Sequence, residues 1–206
     1  YDCDRNGMND IDSYNMAKAK KFAAAYPTIQ LKNAHPVISR MRMCKDESEV
    51  AILREAIALT DKGLRRILST IAPGQMEYQA QAEFEYAIRH GGAEGTSFPT
   101  IAGSGINGCM LHYGTNHCEM EDGKLVLFDL GAKVRGYCAD ITRTYPVNGK
   151  YTERQKAFYD IVLKANQEVA KAARPGVTCG ELNDLCKKVL AEGMIALGKI
   201  ETEEEI

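Results

Sequence analysis

The sequence has 206 residues, a length that suits one large domain or one domain plus a fragment. Of these residues 45% are hydrophobic and 26% are charged, a composition typical of a globular protein. The formal net charge of −2 does not favour a nucleic-acid partner, which normally requires a basic surface. No apolar run is long enough to span a bilayer, so no membrane partner is predicted. The seven cysteines are an odd number and include no Cys-x-x-Cys pair, so we expect free thiols and a cytoplasmic protein.

The amino-terminal part of the chain carries few apolar residues. A helix is predicted from Ser13, as its N-cap, to about Ala25. Residues 29–43 alternate loosely between polar and apolar, which predicts an edge strand interrupted at Pro36. Residues 1–35 hold too little apolar material for a core of their own, so we expect this segment to pack against other sequence.

Two amphipathic helices are predicted next. The first begins at Asp46, which forms a capping box with Glu49, and its apolar stripe extends to Ile71. Pro73-Gly74 separates it from a second helix over about 77–89. We expect both stripes to face the core, and they imply no chemistry.

A second pair of helices of similar length follows later in the chain. Its members begin at Thr152 and Thr178, each with a capping-box partner three residues later, and Pro175-Gly176 separates them. The two Pro-Gly pairs lie 102 residues apart. This spacing predicts an internal repeat of two α-α-β units, with the second unit represented by its helices alone. Coincidental Pro-Gly helix stops are the alternative explanation.

Between the two helix pairs, the sequence predicts a β-hairpin that carries two aspartates. A turn centred between Val134 and Arg135 would place Asp129 directly opposite Asp140. Facing carboxylates with Cβ atoms ~5 Å apart repel each other. A shared proton, a basic neighbour or a divalent metal pair would relieve the repulsion. A hairpin whose two aspartates point into water is the alternative.

A Gly-rich segment precedes this hairpin. Gly103-Ser-Gly105 is not followed by a helix pattern, so a nucleotide-phosphate loop is not predicted. His112 lies between the apolar Leu111 and Tyr113, and His117 follows five residues later, a spacing that suits neither a helical metal pair nor one strand face. From the residues alone, a structural histidine is the commoner explanation for both.

Three runs of sequence, taken together, resemble the metallopeptidase family that includes aminopeptidase P, prolidase, creatinase and methionine aminopeptidase. The runs are Gly103-Ser-Gly-Ile-Asn-Gly-Cys-Met-Leu-His-Tyr113, Leu125-Val-Leu-Phe-Asp-Leu-Gly131 and Tyr137-Cys-Ala-Asp-Ile-Thr-Arg-Thr-Tyr-Pro-Val-Asn-Gly149. The resemblance implies the α/β (α+β) pita-bread fold, with the first α-α-β unit plus the helices of the second, in a truncated fragment. Residues 1–44 then correspond to the end of an amino-terminal domain and its linker, and 45–206 to the incomplete catalytic domain.

The resemblance also implies roles for single residues. Asp129 and Asp140 correspond to the first two metal ligands of the family, and His112 corresponds to its active-site histidine, which contacts substrate. Phe98 falls in the substrate pocket, where aminopeptidase P often has a tyrosine. The implied cofactors are two divalent ions, Mn²⁺ first, with Zn²⁺ or Co²⁺ as alternatives. The family completes this site with one His and two Glu on its second unit, which we do not find in this sequence.

The activity implied for the parent protein is removal of the first residue from peptides with proline in second position. Such a parent is expected to form a dimer or tetramer. This chain alone is expected to be inactive and to bind metal weakly or not at all, because three of five ligands are missing. An Xaa-Pro dipeptidase, a metal-free hydrolase like creatinase and a non-catalytic binding module are the alternatives, although the two retained aspartates argue against the metal-free hydrolase.

Overall fold

The computed structural model describes residues 14–202. Within them, no helix is both long and apolar enough to cross a membrane. A short 3-10 helix at Gly105–Cys109 accompanies the main elements. In chain order these are α1 (Tyr14–Ala25), α2 (His35–Met43), α3 (Glu47–Thr70), α4 (Glu77–His90), β1 (Gly95–Thr96), β2 (Ile101–Ser104), β3 (Leu125–Leu130), β4 (Ala132–Val134), β5 (Tyr137–Cys138), β6 (Ile141–Pro146), α5 (Glu153–Ala172) and α6 (Cys179–Ala196).

The amino-terminal segment contains two helices, α1 and α2. The prediction of α1 is confirmed, although its expected N-cap Ser13 lies outside the described residues. The predicted edge strand is wrong, because residues 35–43 form α2. Pro36 lies in the first turn of that helix, where a backbone N–H has no intrahelical acceptor, so the N–H that proline lacks costs the helix no hydrogen bond. The Asn33 side chain accepts a hydrogen bond from the backbone N–H of His35 at 2.9 Å and helps to start the helix.

The four amphipathic helices predicted from the sequence are all present, and the three for which a cap was predicted begin at that cap. The Asp46 carboxylate accepts a hydrogen bond from the Glu49 N–H at 2.9 Å, and the Glu49 carboxylate accepts one from the Asp46 N–H at 2.8 Å. Thr152 and Thr178 cap α5 and α6 in the same way. Each cap contributes about 1 kcal/mol to the stability of its helix.

The strands form two antiparallel sheets with the orders β1-β4-β5 and β2-β3-β6. One long hairpin joins them, because β3 and β4 form its first arm and β5 and β6 form its second. Arg135 and Gly136 make the turn, with φ angles of +47° and +81°, and Val134 pairs with Tyr137 across it. Two residues with positive φ are what a two-residue type I′ hairpin turn requires.

The position of this turn shows that the predicted register of the hairpin is wrong by two residues. Asp129 pairs with Thr142 of β6 on one side and with Ile101 of β2 on the other, and it does not face Asp140. The sequence prediction placed the turn one residue too early. A shift of two residues leaves every side chain on its original face of the sheet, so the two aspartates still share a face.

The core lies between the helix pair α3–α4 and one face of β3. Val126, Phe128 and Leu130 are fully buried there, and they belong to one cluster with Ile67 and Phe84 of the helices. The opposite face of β3, which carries Asp129, is only half-buried. The sheet thus buries one face in the core and presents the aspartate face for chemistry.

A buried hydroxyl connects the helices to the hairpin. Thr60 of α3 donates a hydrogen bond to the carbonyl oxygen of Ala56 at 2.8 Å and accepts one from the N–H of Ala132 at 2.9 Å. At the tip of the hairpin, the Tyr137 hydroxyl donates to the Glu49 carboxylate at 2.7 Å. These bonds fix the hairpin against α3.

The two helix pairs have the same form, as the repeat predicts. α3 packs on α4 and α5 packs on α6, and each pair is joined at a glycine with positive φ, +87° at Gly74 and +95° at Gly176. The second pair is less covered, with Val162 and Leu163 of α5 exposed.

Candidate active site

The residues that the resemblance singles out lie around one cavity of about 300 Å³. The hairpin contributes Asp129 and Asp140, and the segment before β3 contributes His112. The remaining wall is mostly apolar and includes Phe98 beside Pro99, Ile101 and Gly114. Three larger cavities, of about 790, 650 and 380 Å³, contain none of the four predicted site residues.

Asp129 lies in the middle of the sheet β2-β3-β6. Its half-buried side chain accepts a hydrogen bond at Oδ1 from the Thr142 hydroxyl at 2.8 Å. Because it is paired through the backbone on both sides, the position of this carboxylate is fixed by the sheet itself. A carboxylate held in this way is suited to binding a ligand in a defined orientation.

Asp140 lies between β5 and β6, close enough to Asp129 for the two carboxyl groups to interact. Desolvation of the Asp140 carboxyl is the larger cause, and the negative charge of Asp129 the smaller one, of a raised Asp140 pKa. Gly131 permits this approach, since a Cβ atom there would lie 1.8 Å from the carbonyl oxygen of Ala139. The absence of a side chain at 131 therefore lets the backbone next to Asp140 pack closely against the end of β3, the strand that carries Asp129.

The chemistry of this donor set fits a hard divalent cation. Two adjacent carboxylates offer oxygen ligands, and a cation would relieve the repulsion between their negative charges. Between residues 14 and 202, His, Cys, Asp and Glu side chains form no group of three or more that would suit a metal ion. The donor set that this part of the chain offers is thus the pair Asp129 and Asp140.

His112 follows the 3-10 helix and has a φ angle of +54°. This left-handed conformation is uncommon for a residue other than glycine, and such residues concentrate at functional sites. Its side chain is exposed and lines the cavity, so His112 is not a structural histidine buried in the core. His117, by contrast, lies outside the cavity lining, and its ring packs 5.5 Å from that of Tyr78.

Sequence reasoning missed one polar residue near this site. Glu77, which reads as an ordinary acidic residue in the first turn of α4, is fully buried and accepts hydrogen bonds from the segment that carries His112. Its partners lie 27 to 41 residues away, so no local pattern indicates them.

Comparison with known proteins decides the family. Residues 51–202 match the model of metallopeptidase family M24. The chain belongs to this family. It is 42% identical over 163 residues to an Xaa-Pro aminopeptidase of Escherichia coli (strain K12), a match that covers 79% of this chain and 37% of that protein. It is 36% identical to an Xaa-Pro dipeptidase of Pyrococcus horikoshii, over 79% of this chain and 46% of the relative.

Solved structures of the same family share the fold. Proline aminopeptidase P II from Yersinia pestis superposes with a TM-score of 0.86 at 35% identity, covering 98% of this M24 chain and 48% of that one. Zn-substituted E. coli aminopeptidase P in complex with product gives a TM-score of 0.82 at 37% identity, covering 93% and 44%. The predicted pita-bread fold is confirmed, and the chain spans less than half the length of these relatives.

Proposed function

We propose that the complete protein is a metal-dependent peptidase that removes the first residue from peptides with proline in second position. The observation that carries the proposal is the meeting of His112, Asp129 and Asp140 around one cavity in an M24 metallopeptidase chain. The relatives named Xaa-Pro aminopeptidase and Xaa-Pro dipeptidase support the substrate class.

Under this proposal, Asp129 and Asp140 are metal ligands in a site for two divalent ions. Mn²⁺ is the proposed metal because both ligands are hard oxygen donors, and Zn²⁺ and Co²⁺ are the alternatives. Bound ions of this kind lower the pKa of water and polarise a carbonyl oxygen. Further ligands would be needed to complete the site, because residues 14–202 gather no third His, Cys, Asp or Glu side chain beside this pair, and we propose that this chain alone binds metal weakly and is inactive.

The other residues of the cavity act on the peptide. His112 contacts substrate and donates a hydrogen bond to the carbonyl oxygen as negative charge develops on it. The apolar side chains of Phe98, Pro99 and Ile101 contact the substrate and exclude water from the reacting bond. This division places the carboxylates of the site on the hairpin, and the apolar groups on the segment before β2 and on the first residue of β2.

An Xaa-Pro dipeptidase is the second candidate activity. Relatives with that name include the Pyrococcus horikoshii protein and an Xaa-Pro dipeptidase from Homo sapiens that is 32% identical over 80% of this chain. A dipeptidase accepts a free carboxylate directly after the proline, whereas an aminopeptidase accepts a longer peptide. A non-catalytic peptide-binding module on the same fold remains the third candidate.

The test is hydrolysis by the complete protein of an Xaa-Pro-Xaa tripeptide, an Xaa-Pro dipeptide and an Xaa-Ala-Xaa tripeptide, with Mn²⁺, Zn²⁺ or Co²⁺ supplied. We expect cleavage of the Xaa-Pro-Xaa tripeptide, and loss of at least about 100-fold in kcat for Asp129→Asn and His112→Ala. Asp184→Asn, an exposed aspartate on α6, is the control for loss of one negative charge. Cleavage of the dipeptide alone would favour the dipeptidase, and no cleavage with any of the metals would leave the binding module.

Location and assembly are separate proposals. The six cysteines between residues 14 and 202 are free thiols, which supports a cytoplasmic location. We propose a dimer or tetramer for the complete protein, which sedimentation analysis would test. The peptide substrate is the proposed partner, and the slightly acidic chain does not favour nucleic acid.

A further inference from the structure

Glu77 is a buried carboxylate whose oxygens are both occupied. Its Oε1 accepts hydrogen bonds from the Ser104 N–H at 2.8 Å and from the Asn107 side-chain amide at 3.1 Å. Its Oε2 accepts from the Tyr113 hydroxyl at 2.7 Å and from the Cys118 N–H at 3.0 Å. Four donors fill the four acceptor positions of a carboxylate, which is how a buried charge is stabilised without a basic partner.

All four donors belong to one segment, residues 104–118, which we call the His112 loop. Two of them precede His112 and two follow it, and Tyr113 is its direct neighbour. The Tyr113 side chain is buried, whereas Leu111 on the other side of His112 is 94% exposed. The bond from Tyr113 to Glu77 is therefore the nearest fixed point to His112 in the loop.

A second contact from the same helix holds the end of the loop. Asn116 is buried with a φ angle of +48°, and its side-chain amide donates to Gln81 at 2.8 Å and to the carbonyl oxygen of Thr100 at 2.7 Å. Gln81 lies one turn after Glu77, so both residues are on the same face of α4. One helix face thus contacts the loop on both sides of His112.

The left-handed backbone of His112 needs such support. A residue other than glycine is strained in this conformation and keeps it only where the surroundings enforce it. The exposed side chain of His112 has no burial of its own to enforce it. The neighbouring residues of the loop therefore have to hold His112 in its left-handed conformation.

We propose that Glu77 is a positioning residue that holds His112 at the cavity through Tyr113 and the backbone of the His112 loop. The inference rests on the proposed function, in which His112 contacts substrate. Glu77 itself does not line the cavity, so it acts through the loop and not on the peptide. Burial, and next the hydrogen bond to Glu77, raise the pKa of Tyr113, which keeps its hydroxyl protonated as a donor.

The first experiment measures hydrogen–deuterium exchange of the complete protein with the substitution Glu77→Gln. The glutamine keeps one acceptor oxygen but places an NH₂ group where the second oxygen stood, so the Ser104 N–H or the Cys118 N–H loses its acceptor. We expect peptides covering 104–118 to exchange about tenfold faster or more. Glu153→Gln is the matched control, because Glu153 is the first residue of α5 and exposed, and it should leave the loop unchanged.

The second experiment measures hydrolysis of the Xaa-Pro-Xaa tripeptide by the same variants. Displacement of His112 should lower kcat about 10- to 100-fold for Glu77→Gln, with KM changed less than about twofold and the bound Mn²⁺ unchanged. Tyr113→Phe removes one of the four hydrogen bonds to Glu77. It should lower kcat less, and increase the exchange rate of residues 104–118 less, than Glu77→Gln does. It also keeps the test available if Glu77→Gln fails to fold.

Unchanged exchange of residues 104–118 in the variants would overturn the inference, as would faster exchange with an unchanged kcat. A loss of Mn²⁺ binding together with kcat would also overturn it, because the effect would then reach the metal ligands and not His112. If the wild-type protein cleaves no Xaa-Pro peptide, the proposed function fails, and the exchange result alone decides whether Glu77 anchors the loop.

Discussion

Replacement of Gly131 by alanine tests how the hairpin brings its two aspartates together. A Cβ atom at 131 would lie 1.8 Å from the carbonyl oxygen of Ala139 and 2.9 Å from the Ser97 hydroxyl. Ordinary van der Waals contact starts near 3.4 Å. The strand that carries Ala139 would therefore have to move by about 1.6 Å, in an interior with little free space.

The loss in free energy of unfolding depends on the atoms that the new methyl group contacts. The Ser97 side chain is able to rotate away from the new methyl group. The Ala139 carbonyl is part of the backbone of the paired hairpin, so it cannot rotate away. Overpacking of this kind costs about 1–3 kcal/mol, and we expect Gly131→Ala at the upper end, about 3 kcal/mol. The shift also moves Asp140, the next residue after Ala139, so Mn²⁺ affinity of the complete protein should fall about tenfold or more.

Urea unfolding followed by circular dichroism measures the first effect, and calorimetric titration with Mn²⁺ measures the second. Gly180→Ala is the matched control, because this exposed glycine of α6 has no atom closer than 3.8 Å to an added Cβ. That control should be neutral or stabilising by up to about 1 kcal/mol, since alanine favours a helix over glycine. An unfolding midpoint for Gly131→Ala equal to that of wild type would refute the close approach. Lost stability with unchanged Mn²⁺ affinity would refute the link to the aspartate pair.

Three further substitutions test other contacts. Thr60→Val leaves the buried N–H of Ala132 without its acceptor, so the free energy of unfolding in urea should fall by about 1–3 kcal/mol, and a loss below about 0.5 kcal/mol would contradict this. Asp129→Asn removes one of two like charges, so the metal-free chain should keep its stability or gain up to about 1 kcal/mol, and NMR titration should show a lower pKa for Asp140. Hydrogen bonds, first from the serine two residues later and then from a backbone N–H, hold the pKa of Asp46 below its usual value. The ionised Asp46 carboxylate therefore stabilises the folded protein at pH values above the usual carboxyl pKa, and this stabilisation is lost as the pH falls through the lowered pKa of Asp46. Acid-unfolding curves of wild type and Asp46→Asn should accordingly differ at neutral pH and converge in acid.

The parts of the fold that depend on short stretches of sequence were predictable. A capping box such as Asp46 with Glu49 is complete within four residues, and the helices it starts also carry regular apolar stripes. Pro36 was misleading because a proline ends a strand and also begins a helix, and the sequence of residues 29–43 does not separate the two cases. The hairpin was predicted, but its register depended on Arg135 taking a positive φ, which arginine rarely does.

The candidate site was predictable only where a sequence motif marks it. Asp129, Asp140 and His112 were selected by resemblance, and the structure places them at one cavity. Glu77 carries no such mark, since an acidic residue at the start of a helix is ordinary. Its importance comes from burial and from contacts with distant residues, and these exist only after the chain has folded.

The carboxylate of Glu49 has a consequence for the order of folding. One oxygen completes the cap of α3, and the other binds the hydroxyl of Tyr137, 88 residues later in the chain. Closing so long a loop costs conformational entropy before the contact returns any energy. The first turn of α3 and the tip of the hairpin should therefore open and close together as one cooperative unit in native-state exchange, although they lie in different thirds of the sequence.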